Sequence, residues 1–193
     1  MINLYTKREA NPGDLCYVTM ESPLGELFLG SVDGKGLSMI VFLKNEGPDR
    51  LLDSLASRYS SVRLCPDMTL LKKTREELMA YFNGELREFS VEVDLAGTDF
   101  QNMVWKALME IPYGETVCYS DIARKTSNEK SARAVGSANH RNPVPIIIPC
   151  HRVVGKDGSL TGYASGVDVK KWLIRHEKAK ISRRYQGLSE RTV

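Results

Sequence analysis

No stretch of this 193-residue sequence approaches the roughly 18–20 consecutive apolar residues that a membrane-spanning helix needs. Residues 1–10 lack the apolar core of a secretory signal. A cytoplasmic protein without a membrane partner is expected, or a nuclear one in a eukaryote. Cysteine is scarce: Cys16, Cys65, Cys118 and Cys150 are far apart and form no CxxC pair, which excludes a disulfide scaffold and predicts reduced thiols. With only three histidines beside them and no metal-ligand spacing, neither a metal site nor a cofactor is expected. Internal repeats and low-complexity segments are also absent. What is present is ordinary globular composition, 42% apolar with a formal net charge of +3, enough for one or two domains.

The charge is unevenly distributed. Residues 1–92 hold 11 basic and 14 acidic side chains, residues 93–193 hold 16 and 10. Part of the second excess lies in the basic tail from Lys178. The asymmetry points toward a polyanion without establishing one.

In the first half, LCYVTMES, LGELFLGSV and GLSMIVFL are β-branched, apolar runs separated by Pro23-Leu24-Gly25 and Asp33-Gly34-Lys35-Gly36, the pattern of a strand meander. Helices are expected over 48–59 and 68–83, the second carrying Leu70, Leu71, Leu78 and Tyr81 and stopping at Asn83-Gly84. SVEVDL reads as one more strand. Thr98 with Gln101 forms a capping-box start to a helix whose apolar positions are Met103, Val104, Ala107, Leu108 and Ile111. The expected division is 1–93, 94–178 and a basic tail, 179–193.

After Pro112-Tyr113-Gly114, short helical patterns over 120–125 and 131–139 fit a helix-turn-helix, or equally two packed helices with no role in DNA binding. The second, SARAVGSAN, carries little bulk besides Arg133 and Val135. A helix reading bases in the major groove normally presents several long polar side chains. This one suits a narrow groove with Arg133 as its probe, or tight helix packing.

The run Ile146-Ile147-Ile148 delivers Cys150 after a proline-rich turn, Asn142-Pro143-Val144-Pro145. A lone cysteine there is ordinarily structural. His151 changes the reading, because an imidazole in reach, directly or through one water, accepts a thiol proton. Glu177, at i+4 from Leu173 and i+8 from Val169 in a helix expected over 168–178, extends an apolar stripe and needs a partner such as His151. His176 reads as packing and His140 as surface.

Ile148-Pro149-Cys150-His151-Arg152-Val153-Val154 resembles the active-site signature of the O6-alkylguanine-DNA alkyltransferases. The likeness runs from Phe100 through Glu177 and includes PYGETVCYSDIA, ARAVGSAN, NPVP, LTGYASG and VKKWLIRHE. It implies an α/β (α+β) protein with an N-terminal ribonuclease H-like domain and a C-terminal domain of winged helix-turn-helix type. The implied activity is single-use transfer of an alkyl group from O6 of guanine in double-stranded DNA, less readily from O4 of thymine, to the protein's own cysteine.

Position by position, the resemblance implies Cys150 as acceptor, His151 as water-linked base, Glu177 as the group orienting it, and Asn142 as a hinge. Tyr119 would crowd the target phosphate and donate to N3 of the base. Arg133 would fill the gap left by the flipped base, with Ser120, Ala132, Ala134, Gly136, Ser137 and Asn139 on the DNA side. Tyr163, Ala164, Ser165 and Val153 would wall the base pocket. Lys170 reads either as reaching that pocket or as solvated. A monomer is expected. A non-catalytic helix-turn-helix sensor of alkyl lesions is the alternative, and a cysteine hydrolase is disfavoured because nothing in the sequence nominates an oxyanion site.

Overall fold

At Asp33 and Gly34 the backbone takes positive φ at two successive residues, 52° and 67°, and the Lys35 amide donates to the Val32 carbonyl at 3.3 Å. This is the twist-matched hairpin turn that an Asp-Gly pair favours. It joins β2 (Leu27–Val32) to β3 (Met39–Phe42), while the Ser22–Gly25 turn joins β1 (Asp14–Met20) to β2. The computed structural model describes residues 13–43, 63–126, 131–160 and 162–189. The helix expected over 48–59 lies outside them.

Two compact units divide the chain, 1–96 and 97–193. In the first, the meander is joined by β4 (Arg63–Pro66), which pairs parallel to β1, giving the strand order β3-β2-β1-β4. The central β2 is buried almost throughout, so both faces of the sheet are covered at this point. Leu15, Phe28, Met39 and Val41 form a cluster completed by Tyr17, Val32 and Leu43. Helix α1 (Lys72–Asn83) buries Thr74, Leu78, Tyr81 and Phe82, spaced as one helical face, and ends at Gly84 in the left-handed conformation.

Two expectations for this unit need correction. The second helix begins at Lys72 rather than at residue 68, because the Asp67 carboxylate accepts from the Thr69 and Leu70 amides and holds a separate turn before it. SVEVDL is no sheet strand: it contributes a single bridge, Leu37 to Val93, with the Leu37 amide on the Glu92 carbonyl at 2.9 Å. Its alternation is that of a segment lying along one residue of the sheet rim.

The second unit opens with α2 (Asp99–Met109), where Thr98 Oγ1 accepts from the Gln101 amide and Gln101 Oε1 from the Thr98 amide, the expected capping box. Val104, Trp105, Ala107 and Leu108 are buried, whereas Met103, expected in the core, is 43% exposed at the edge of that face, one turn before Ala107. Trp105 Nε1 donates to the Ala138 carbonyl at 2.9 Å, fixing α2 to α4 (Ala132–His140). Between them lie β5 (Val117–Cys118) and α3 (Tyr119–Thr126). A one-turn 3-10 helix, Cys150–Arg152, leads into β6 (Val153–Val154), which pairs parallel to β5. Helix α5 (Val167–Ser189) closes the described chain and continues past residue 178, where the tail was expected to begin. The architecture is mixed α/β, with all five described helices too short or too polar to cross a membrane.

Candidate functional site

The short 3-10 turn puts Cys150, His151 and Arg152 on successive corners, and all three are buried. Before it, the loop 142–149 is fixed from within. The Val144 amide donates to Asn142 Oδ1 at 3.0 Å, the Ile148 amide to the Val144 carbonyl at 3.0 Å, and the Cys150 amide to the Ile148 carbonyl at 2.8 Å. Ile146, fully buried, has φ of 77°, a conformation that a β-branched residue adopts only when its surroundings force it.

Asn142 binds both ends of this loop. Its Nδ2 donates to the Ile148 carbonyl at 2.8 Å and to Cys150 Sγ at 3.0 Å. Cys150 is 3% exposed. Burial pushes its thiol pKa up, and the Asn142 amide, the Tyr163 hydroxyl and the Lys170 ammonium pull it back only in part. The thiol therefore keeps its proton near neutral pH and requires a base to become a nucleophile.

The next residue on the turn is a histidine. His151 is fully buried, and its Nε2 lies 2.8 Å from Glu177 Oε1. Burial lowers the imidazole pKa, Arg152 and Lys170 add to the lowering, and Glu177 opposes it without prevailing. A neutral ring facing a carboxylate carries its hydrogen on Nε2, which leaves Nδ1 as the acceptor. Nδ1 is buried and bonds to no other protein group.

Glu177, 1% exposed, accepts four hydrogen bonds: from His151, from the Gly114 amide at 2.8 Å, and from Arg152 Nε and Nη2 at 3.0 Å each. Burial alone would raise its pKa, but the His151 and Arg152 interactions together outweigh it and hold the carboxyl at about 2. Arg152 also donates through Nη1 to the Ile111 carbonyl and lies over the Tyr113 ring at 5.7 Å. The sequence alone assigns no role to Arg152 or to the Gly114 amide. The available signal was that an arginine within two residues of a buried thiol, on the same turn, needs a carboxylate, and the α5 stripe offers Glu177.

Helices α3 and α4 stand beside this network. Arg133, Ala134 and Ser137 are exposed on α4, with Ala132 and Gly136 half-buried. A Cβ at Gly136 would meet the Tyr119 ring at 3.9 Å, and one at Gly162 would meet the Tyr119 hydroxyl at 3.7 Å, so Tyr119 spans from α4 to the 162–166 loop. Ser120 is half-buried in the first turn of α3. Asn139, expected to face DNA, is instead buried, with Nδ2 donating to the Cys150 carbonyl at 3.4 Å.

In the 162–166 loop Tyr163 and Ser165 are buried and Ala164 is half-buried, while Val153 is fully buried in β6. Lys170 is 0% exposed, which removes the solvated alternative. Its Nζ lies 5.9 Å from the Tyr119 ring centre. Burial lowers its pKa and raises that of Tyr119. His176 stacks on Trp172 at 4.8 Å and His140 is exposed, in line with packing and surface roles. A cavity of about 290 Å³ in the first unit is lined by none of these residues. The chemistry is marked by the buried polar network and not by that hollow.

Comparison with known proteins covers nearly the same residues. The model of the 6-O-methylguanine DNA methyltransferase ribonuclease-like domain matches 15–95, and that of its DNA-binding domain matches 99–179. A methylated-DNA–protein-cysteine methyltransferase of Methanosarcina acetivorans is 45% identical over 161 residues, covering 83% of this chain and 97% of that protein. One of Mycobacterium tuberculosis is 46% identical over 164 residues, covering 85% and 93%. The crystal structure of Mycobacterium tuberculosis OGT in complex with DNA superposes with a TM-score of 0.74 at 44% identity, covering 86% of this chain and 94% of that one. The chain thus belongs to the 6-O-methylguanine DNA methyltransferase family.

Proposed function

We propose that the protein repairs DNA by direct reversal, moving an alkyl group from O6 of guanine, and less readily from O4 of thymine, to Cys150. The observation that carries this reading is a buried thiol followed on the same turn by a buried histidine whose Nε2 is held by Glu177 and whose Nδ1 bonds to no other protein group. A water between Nδ1 and Sγ passes the thiol proton to His151. Glu177 holds the ring and stabilises the imidazolium that forms. Sγ attacks the alkyl carbon, the carbon–oxygen bond breaks, and its electron pair leaves with the guanine, whose anion the Tyr119 hydroxyl stabilises by donating a hydrogen bond to N3 until it takes up, through water, the proton that His151 received from the thiol.

A thiol so deeply placed cannot meet a base inside the duplex, so the nucleotide must leave the stack. Unstacking costs roughly a few kcal/mol, and less for a weakened pair. Arg133 enters from the minor groove and fills the gap, with the small residues Ala132, Ala134, Gly136 and Ser137 permitting close approach. Tyr163, Ala164 and Ser165 wall the extruded base. The protein acts as a monomer, once.

Intact-protein mass spectrometry after incubation with a duplex carrying one O6-methylguanine tests this. One methyl per chain, mapped to Cys150, is expected, and Cys150→Ala should bind the duplex without repairing it. Duplex binding with no mass shift on Cys150 would favour the lesion-sensor reading.

A further inference from the structure

Arg152 is buried without approaching the thiol: its guanidinium spans Glu177 with two N–H groups and anchors to the Ile111 carbonyl with a third. A carboxylate that must polarise an imidazole needs only one donor from it. Glu177 instead accepts from Gly114 and twice from Arg152 besides His151. Two consequences follow from elementary electrostatics. A carboxylate in a bidentate arginine pair stays anionic and fixed in plane. A carboxylate whose charge is largely compensated also raises the basicity of a hydrogen-bonded histidine much less than a bare one does.

We propose that Arg152 is a positioning residue for alkyl transfer: by sharing Glu177 with His151 it limits the pull of that carboxylate on the imidazole and holds the ring with Nδ1 as proton acceptor. This rests on the proposed transfer to Cys150 and adds the group that tunes its base. The charged groups that face His151 are Glu177 and Lys170 from α5 and Arg152 from its own turn. The segment following α2 adds the Ile111 carbonyl, the Tyr113 ring and the Gly114 amide to the same cluster. With Arg152 gone, Glu177 would keep only the His151 and Gly114 hydrogen bonds, and its stronger pull on an imidazole proton would work against the burial that lowers the His151 pKa, leaving the ring a poorer acceptor for the thiol proton.

The test has two arms. In the wild-type protein, nitrogen-15 NMR of labelled histidine should show His151 neutral, with its hydrogen on Nε2, from about pH 6 to pH 8. A doubly protonated ring at pH 7 overturns the proposal without any variant. In single-turnover assays on an O6-methylguanine duplex, Arg152→Met should move the acid limb of the pH–rate profile upward. Its rate should be at least about tenfold below wild type at pH 7, the gap closing as pH rises. Arg152→Lys, which keeps the charge and loses the fork, should restore the acid limb and leave a lower plateau. An unshifted limb in Arg152→Met, whatever its plateau, means a purely structural arginine. Failure of the wild-type protein to alkylate Cys150 would instead sink the functional reading on which this stands.

Discussion

Glu177 gathers hydrogen bonds from His151, Arg152 and the Gly114 amide on one buried side chain of the second unit. Its carboxyl is held at about 2 against an ordinary 4.5, so its contribution to folding is complete above about pH 4.5 and is lost as pH falls toward 2. A shift of this size corresponds to about 3 kcal/mol. His151 acts in the same direction at higher pH. Its folded-state affinity for a proton is lowered, so below about pH 6.5 the unfolded chain binds a proton that the folded one refuses, and stability declines. Urea unfolding over a pH series should therefore show two successive losses on acidification. Glu177→Gln should remove the lower one and cost roughly 3–5 kcal/mol at pH 7, because Arg152 is left buried and uncompensated. An unaltered stability profile would mean that the pair is not formed in solution. The individual roles were unequally readable from the sequence. Cys150 and His151 are adjacent in the sequence, and Glu177 extends an apolar stripe as a carboxylate, so each stands out. Arg152 does not, because an arginine gives no sign in sequence that it is buried until its carboxylate is known.

Among the elements, those whose periodicity is local were legible and those that depend on distant partners were not. Strands β1 to β3 are apolar, β-branched runs joined by tight turns, and α2 carries its own capping box. Strand β4 is four residues, RLCP, paired in parallel with a strand some fifty positions earlier, and β5 and β6 are two residues each. Nothing in those short strings specifies a partner. The packing of α2 against α4 yields a sharp test, since a Cβ at Gly97 would lie 2.4 Å from the Trp105 ring. The indole cannot retreat without straining its bond to the Ala138 carbonyl, so Gly97→Ala should destabilise by about 1–3 kcal/mol, read by thermal unfolding. On the exposed side of α4, Arg133→Ala should weaken duplex binding and slow transfer from duplex more than from the free O6-alkylguanine base. Equal slowing on both substrates would contradict the gap-filling role.

For the molecule as a whole, the scarcity of cations on α4 sets the expected response to salt. With Arg133 the one Lys or Arg of α4, and the 11 Lys and Arg of 93–177 nearly balanced by 9 Asp and Glu, the slope of log affinity against log salt should be shallow, about −3. A steeper dependence would implicate α5, whose Lys171, Arg175 and Lys178 are exposed at helical spacing. The placement of Cys150 has a different kind of consequence. Its sulfur is packed at 3% exposure and accepts a hydrogen bond from Asn142, which also holds the loop carbonyl at Ile148. A methyl thioether is one carbon larger and a poorer acceptor, so the product overfills its site and loosens the asparagine tie. The alkylated protein should be less stable by roughly 1–3 kcal/mol, with Tm lower by about 2–4 °C per kcal/mol. Calorimetry before and after reaction would show it. Molecules that have reacted would then open more often than those that have not, and a protease sensitive only to opening could clear the used copies without ever recognising the methyl group.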